Sequence, residues 1–164
     1  MKRLAPVLFA LALLSGCASG MKYTELKPQL PALKEGHGRI VVYRPSSFGA
    51  LIKPDVQLNE NEVIGQSKSR GFFFVDRPAG QYSCSAKTEV KRSISFELEP
   101  GETKYVRNFM TIGFVAGHLQ FELAEAAKAE EELQTMSYTG VWPLPAVAAE
   151  PAPAPEEKAE VPST

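Results

Sequence analysis

Between residues 39 and 110 the chain is a succession of short apolar segments, each closed by turn residues before it grows long enough to be a buried helix. "RIVVYR" (39–44) is β-branched and aromatic on both faces, as in a strand covered on both sides. "DVQLN" (55–59) alternates, with Val56 and Leu58 pointing inward, and "ENE" turns the chain into "VIGQS". "GFFFVD" (71–76) again has two apolar faces and is closed by the turn signal "RPAGQ". Tyr82, Cys84 and Ala86 alternate with Ser83, Ser85 and Lys87, and Ile94, Phe96 and Leu98 repeat the pattern. In "EPGE" (99–102) Pro100 presets φ and Gly101 supplies the permissive position, with "KYVRNFM" expected as the return strand. Such spacing constrains the fold to a mainly β, antiparallel sandwich or barrel.

One late segment breaks the period. "HLQFEL" alternates at Leu119, Phe121 and Leu123, but "AEAAKAEEELQ" (124–134) holds strong helix formers and neither Gly nor Pro. Ala126, Ala129, Leu133 and Met136 form a thin apolar stripe, so one short C-terminal helix is expected against the sheet.

The ends of the chain have a different character. Lys2 and Arg3 precede an apolar stretch from Leu4 to Leu14, which as a helix spans only about 16 Å, half a bilayer core. That is the form of a secretory signal peptide, residues 1–16. Leu14-Ser15-Gly16-Cys17 resembles the bacterial lipobox. The resemblance implies lipidation of Cys17, cleavage before it, and a membrane anchor of two or three acyl chains, each worth about 0.8 kcal/mol per buried CH₂. Ala18 stands where an Asp would favour inner-membrane retention, so a periplasm-facing anchor in the outer membrane is expected, with residues 17–36 as lipidated tether. At the other end, residues 139–164 close the chain as a Pro/Ala/Glu-rich tail, too poor in apolar area to offset ordering entropy and therefore expected to be disordered.

Loss of Lys2 and Arg3 leaves 16 basic against 19 acidic residues, a net charge near −3 with no basic stripe, which argues against nucleic acid as a partner. With Cys17 occupied by lipid, Cys84 has no disulfide partner, and the domain at 37–138 must rest on its apolar core.

No constellation for chemistry stands out. His37 and His118 are far apart in sequence and Cys84 sits on an apolar strand face, so neither a metal site nor a cofactor is read here. No Ser lies in a Gly-x-Ser-x-Gly elbow, and no catalytic residue is assigned. Asp55, Asp76, His37 and His118 make a hydrolase only if the fold brings them into one cleft. Lys87, Lys91 and Arg92 surround a predicted hairpin, either as a solvated turn or as a contact for anionic lipid or glycan. The loop "PSSFGALIK" (45–53) carries Phe48, Leu51 and Ile52, which either plug one end of the sandwich or present a partner-contact patch. Phe114 and Val115 in "TIGFVAG" raise the same alternative.

"RIVVYRPSSF", "PDVQLNENEVIGQ", "GFFFVDRPAGQYSCSAKTE" and "TIGFVAGHLQFELAEAAKAEEEL" together resemble domain of unknown function 2846, a family of bacterial lipoproteins and exported proteins. The turn from Pro78 to Tyr82 is also similar to PEGA and carboxypeptidase-regulatory-like sandwiches. These resemblances imply a prealbumin-like β-sandwich and no activity. The functional expectation is a lipid-anchored, non-catalytic binding or scaffolding module of the envelope, in contact with the membrane and with an envelope protein partner. The alternative is a small-molecule or glycan binder with a pocket under the 45–53 loop.

Overall fold

The computed structural model describes residues 20–113 and 117–140. The signal segment 1–16, Cys17, Phe114, Val115 and the tail from residue 141 lie outside the described residues. A short helix α1 (Tyr23–Leu26) and a 3-10 turn (Lys27–Gln29) precede eight strands. These are β1 (His37–Arg44), β2 (Asp55–Leu58), β3 (Glu62–Gln66), β4 (Gly71–Pro78), β5 (Gly80–Lys87), β6 (Lys91–Leu98), β7 (Thr103–Thr111) and β8 (His118–Ala124). Helix α2 (Ala126–Leu133) and a two-residue strand β9 (Ser137–Tyr138) follow.

The strands form a β-sandwich. One sheet has the order β8-β7-β1-β4-β9 and the other β3-β2-β5-β6. Strand β1 sits at the centre of the five-stranded sheet with every residue from Gly38 to Arg44 buried, which is why its sequence is apolar on both faces. Its inner side meets the four-stranded sheet, with Gly38 against Leu98, while Gly65 of β3 lies against Phe73 of β4. Ile40, Val42, Val56, Leu58, Cys84, Phe96, Leu98 and Val106 belong to the resulting core. The outer face of the four-stranded sheet carries exposed Ser93, Ser95 and Glu97, matching the alternation in the sequence. The outer face of the five-stranded sheet is covered by α1 and α2, through Tyr23, Leu26, Ala129 and Leu133. Ala126 is exposed, so the apolar stripe of α2 begins one turn later than its sequence suggests.

Most strand pairs are antiparallel, but β1 pairs β7 and β4 pairs β9 in parallel. The expected return of "KYVRNFM" onto its predecessor does not occur. The 99–102 turn is present, with Gly101 at φ +77, yet it carries the chain from β6 in one sheet to β7 in the other. Backbone bonds from Gly101 N to His37 O and from Arg39 N to Glu102 O, both 2.8 Å, fasten the turn to β1 instead. The β4–β5 turn likewise crosses between sheets. Strand β7 has Tyr105 buried on one face and Val106 and Met110 on the other, a demand met only beside β1, where both faces are covered.

The boundary expected at residue 37 is also corrected. Residues 20–31, read as part of a tether, pack on the domain: Tyr23 and Leu26 are buried, Tyr138 N donates to Met21 O at 2.8 Å, and Tyr23 N donates to Met136 O at 3.1 Å. The close approach is strict at Gly20, where a Cβ would come within 1.7 Å of Tyr138 O. Thr139, placed in the tail by sequence, donates its N–H to Phe72 O at 2.8 Å.

Candidate functional site

Alternation along β1 puts Arg39, Val41 and Tyr43 on the outer face of the five-stranded sheet. The registers set Arg39 beside Asp76 and Thr103, and Val41 beside Phe74 and Tyr105. The chain from Tyr23 to Pro31 passes over these side chains and, with Glu130 of α2, borders a half-open cavity of about 250 Å³. Phe72, Phe74 and Tyr105 supply its aromatic lining. The Arg39 guanidinium donates to both oxygens of Asp76 at 2.7 and 2.8 Å and to Pro31 O at 2.8 Å, and lies 4.6 Å from the Phe74 ring centre. This is a fork-to-carboxylate pair held flat by stacking.

Glu130 gathers the other polar groups. Its carboxylate accepts from Lys27 Nζ at 2.6 Å, Tyr23 OH at 2.8 Å and Tyr105 OH at 2.9 Å. Burial raises the Glu130 pKa, but these three donors outweigh it and hold the carboxyl below its ordinary value. The phenols move the other way: burial first, then the Glu130 carboxylate, pushes Tyr105 up to about 12 and Tyr23 further still. Both therefore stay protonated and keep donating. One carboxylate thus ties the N-terminal segment, α2 and β7 together.

A pH dependence follows from the sign of that shift. A carboxyl whose folded pKa lies below its unfolded value contributes stability above the unfolded value, and that contribution is lost as pH falls through the folded one. Amide protection factors at residues 23–26, taken against the intrinsic exchange rate at each pH, are expected to fall on acidification below about pH 4.5, the ordinary glutamate value, before the sheets open. Glu130→Gln should lower that protection at neutral pH by the equivalent of ~1–2 kcal/mol and flatten the acid step. An unchanged acid step in the variant would place its origin elsewhere.

The 45–53 loop is organised from below by Arg44, which is fully buried. Its guanidinium donates to the carbonyls of Phe48 (2.5 Å), Gly49 (2.8 Å), Ile52 (2.9 Å) and Ser67 (3.4 Å), and no carboxylate pairs with it among the described residues. Burial lowers the Arg44 pKa, yet a guanidinium remains charged across the working range. The three apolar residues of the loop do not share one fate. Phe48 and Leu51 are exposed, whereas Ile52 packs on Ala86, Met110 and Leu119. The predicted contact set therefore shrinks to Phe48 and Leu51, and Ile52 is a plug.

The remaining sequence candidates are dispersed. Asp76 is engaged by Arg39, and His37 lies at the same end of the sandwich with Nδ1 3.0 Å from Glu35 O. Asp55 and His118 lie at the other end: Asp55 accepts from Gln66 at 3.2 Å, and His118 Nε2 is 3.1 Å from Glu89 Oε2. The four do not meet in one cleft. Cys84 is fully buried, and burial pushes its thiol up to about 12. Among the described residues no cluster of His, Cys, Asp and Glu is arranged to hold a metal. Sequence reading missed Glu130, Tyr23 and Tyr105; nothing local separates Glu130 from Glu131 and Glu132. Arg39 and Arg44 carried a signal, two cations bracketing the apolar run "IVVY".

No curated protein and no solved structure matches the chain. A family model described as "Protein of unknown function (DUF2846)" matches residues 34–118. The match spans β1 to β7 and ends on the first residue of β8, so it includes Arg39, Arg44, Asp76 and Tyr105 and leaves out Tyr23, Lys27 and Glu130. With just over half of its length matched, this chain belongs to the DUF2846 family.

Proposed function

We propose that the protein is a lipid-anchored, periplasm-facing, non-catalytic binding or scaffolding module of the bacterial envelope, held in the outer membrane through Cys17. The observation that carries the reading is the succession of a charged start, a short apolar run and Leu14-Ser15-Gly16-Cys17. The folded segment beginning at Gly20 supports it in a particular form. Cys17 stands three residue steps before Gly20, a reach of about 10 Å, so acyl chains on Cys17 would hold the domain against the bilayer rather than on a long leash. No helix among the described residues is long and apolar enough to cross a membrane.

The test is Cys17→Ser in full-length protein produced in a diderm bacterium. Wild type is expected in the outer-membrane fraction, with an N-terminal peptide beginning at Cys17 and carrying acyl mass. The variant should lose that mass and move to the soluble or unprocessed fraction. A wild-type N-terminus elsewhere, without acyl chains, overturns the reading.

The cavity favours a second reading, binding of a small molecule or glycan, because aromatic faces and paired charges line it. This cavity lies under residues 23–31. Chemical-shift changes confined to Tyr23, Phe74 and Tyr105 on adding cell-wall disaccharide fragments would support it, and their absence at millimolar ligand would remove it.

A further inference from the structure

Three loops meet at the Arg44 end of the sandwich. Arg44 faces Gly71 at the end of the β1–β4 pair, Thr111 faces His118 at the end of β7–β8, and Glu89 of the β5–β6 turn reaches His118. Each loop projects apolar side chains there: Phe48 is 56% exposed, Leu51 95%, Ile112 87% and Val90 38%. The backbone beneath them is fixed, because the Arg44 guanidinium holds the carbonyls of Phe48, Gly49 and Ile52. Leu51 and Phe48 therefore stand out from a pinned loop.

Charge is distributed unevenly around this end. Elsewhere six cations, Lys27, Arg39, Arg77, Lys104, Arg107 and Lys128, have carboxylate partners, and Lys22 bonds to the Ser137 hydroxyl at 3.1 Å. Lys53, Lys68, Arg70, Lys87 and Arg92, in the segments that frame the apolar tip, have no carboxylate partner among the described residues. Lys91 of the same hairpin is paired with Glu60. The acids beside these segments are Glu60, taken up by Lys91, Asp55, which accepts from Gln66, and Glu89, beside His118. Among the described residues this end is thus a cationic pole, with apolar side chains at its centre.

We propose that this pole docks on an anionic bilayer surface. Phe48, Leu51 and Ile112 enter the boundary between headgroups and acyl chains, and Lys53, Arg70 and Lys87 meet lipid phosphates. The proposal rests on the anchored reading for its geometry. Gly20 lies one strand beyond β9, three strand spacings or about 14 Å from β1, and Cys17 reaches about 10 Å further, so anchor and pole fit one membrane. Acyl chains and a cationic apolar surface then act as two attachment signals and set the orientation of the domain.

The experiment uses mature lipidated protein in mixed phosphatidylethanolamine–phosphatidylglycerol vesicles, with an environment-sensitive dye on Leu51→Cys; buried Cys84 does not compete for label. Acyl chains brominated near the headgroup are expected to quench this dye about twofold or more, and a dye on Ala79→Cys, exposed at the opposite pole, hardly at all. Lys53→Glu with Arg70→Glu and Lys87→Glu should bring the Leu51 signal to the Ala79 level, as should phosphatidylcholine vesicles at high salt. Equal quenching at both positions in acylated protein overturns docking and leaves the anchor standing. A dye shielded by a crosslinked envelope protein, without quenching, also overturns it in favour of a protein partner. An N-terminal peptide without acyl chains overturns the anchor instead. The pole is then judged by vesicles added to the unacylated protein: quenching of the Leu51 dye supports docking, and no quenching overturns it.

Discussion

Phe72→Ala is expected to lower the unfolding free energy by about 3–5 kcal/mol, a large share of the stability of a domain this size. Phe72 is 1% exposed and sits where three parts of the chain join. Its ring meets Tyr23 edge-on at 5.3 Å and Tyr138 at 5.5 Å, so truncation removes two aromatic contacts as well as burial. The cavity it leaves would open onto the one already present beneath the N-terminal segment, whose lining includes Phe72 itself. Denaturant midpoints should show the loss, and amide exchange should show residues 20–31 and 137–139 released ahead of the sheets. A uniform loss of protection, with the N-terminal segment no more exposed than β1, would refute the joining role.

Arg44→Met should cost about 2–4 kcal/mol and set the 45–53 loop free. Methionine nearly fills the volume but donates nothing, so the buried carbonyl of Ser67 loses its partner, while the half-buried bonds to Phe48, Gly49 and Ile52 are replaced only in part by water. Arg44→Lys should recover less than half of the loss, because one ammonium with three hydrogens cannot span four carbonyls set around a planar fork. Proteolysis between residues 46 and 53 is the direct readout. Resistance equal to wild type in Arg44→Met would show that Ile52 packing alone fixes the loop.

The strands were legible because each carries its own period. Val56 and Leu58 point inward as alternation requires, and the all-apolar β1 sits centrally with both faces covered. Pairing was less legible. Pro100 and Gly101 specify a reversal, but not whether the next strand returns beside the last or crosses to the other sheet. That choice depends on which sheet can bury both Tyr105 and Val106, a property of the assembled layers. The parallel β1–β7 pair was hidden for the same reason.

The site was harder to see than the fold. Its central carboxylate is one Glu among three in succession, and only the docking of α2 decides that Glu130, not Glu131, meets Tyr23 and Tyr105. The short helix at residues 23–26 is too brief to give a period, so a segment carrying two core residues reads as tether. Arg39 and Arg44 bracket an apolar run, a signal that the reading of "RIVVYR" as a strand left unused.

Gly20 lies against Tyr138, and Thr139 is bonded to Phe72, so the two ends of the described segment lie side by side. The domain is in effect a ring with a single gap. Bridging that gap with a short linker and reopening the backbone in the exposed turn at Asn59–Asn61 would keep every strand pair in register.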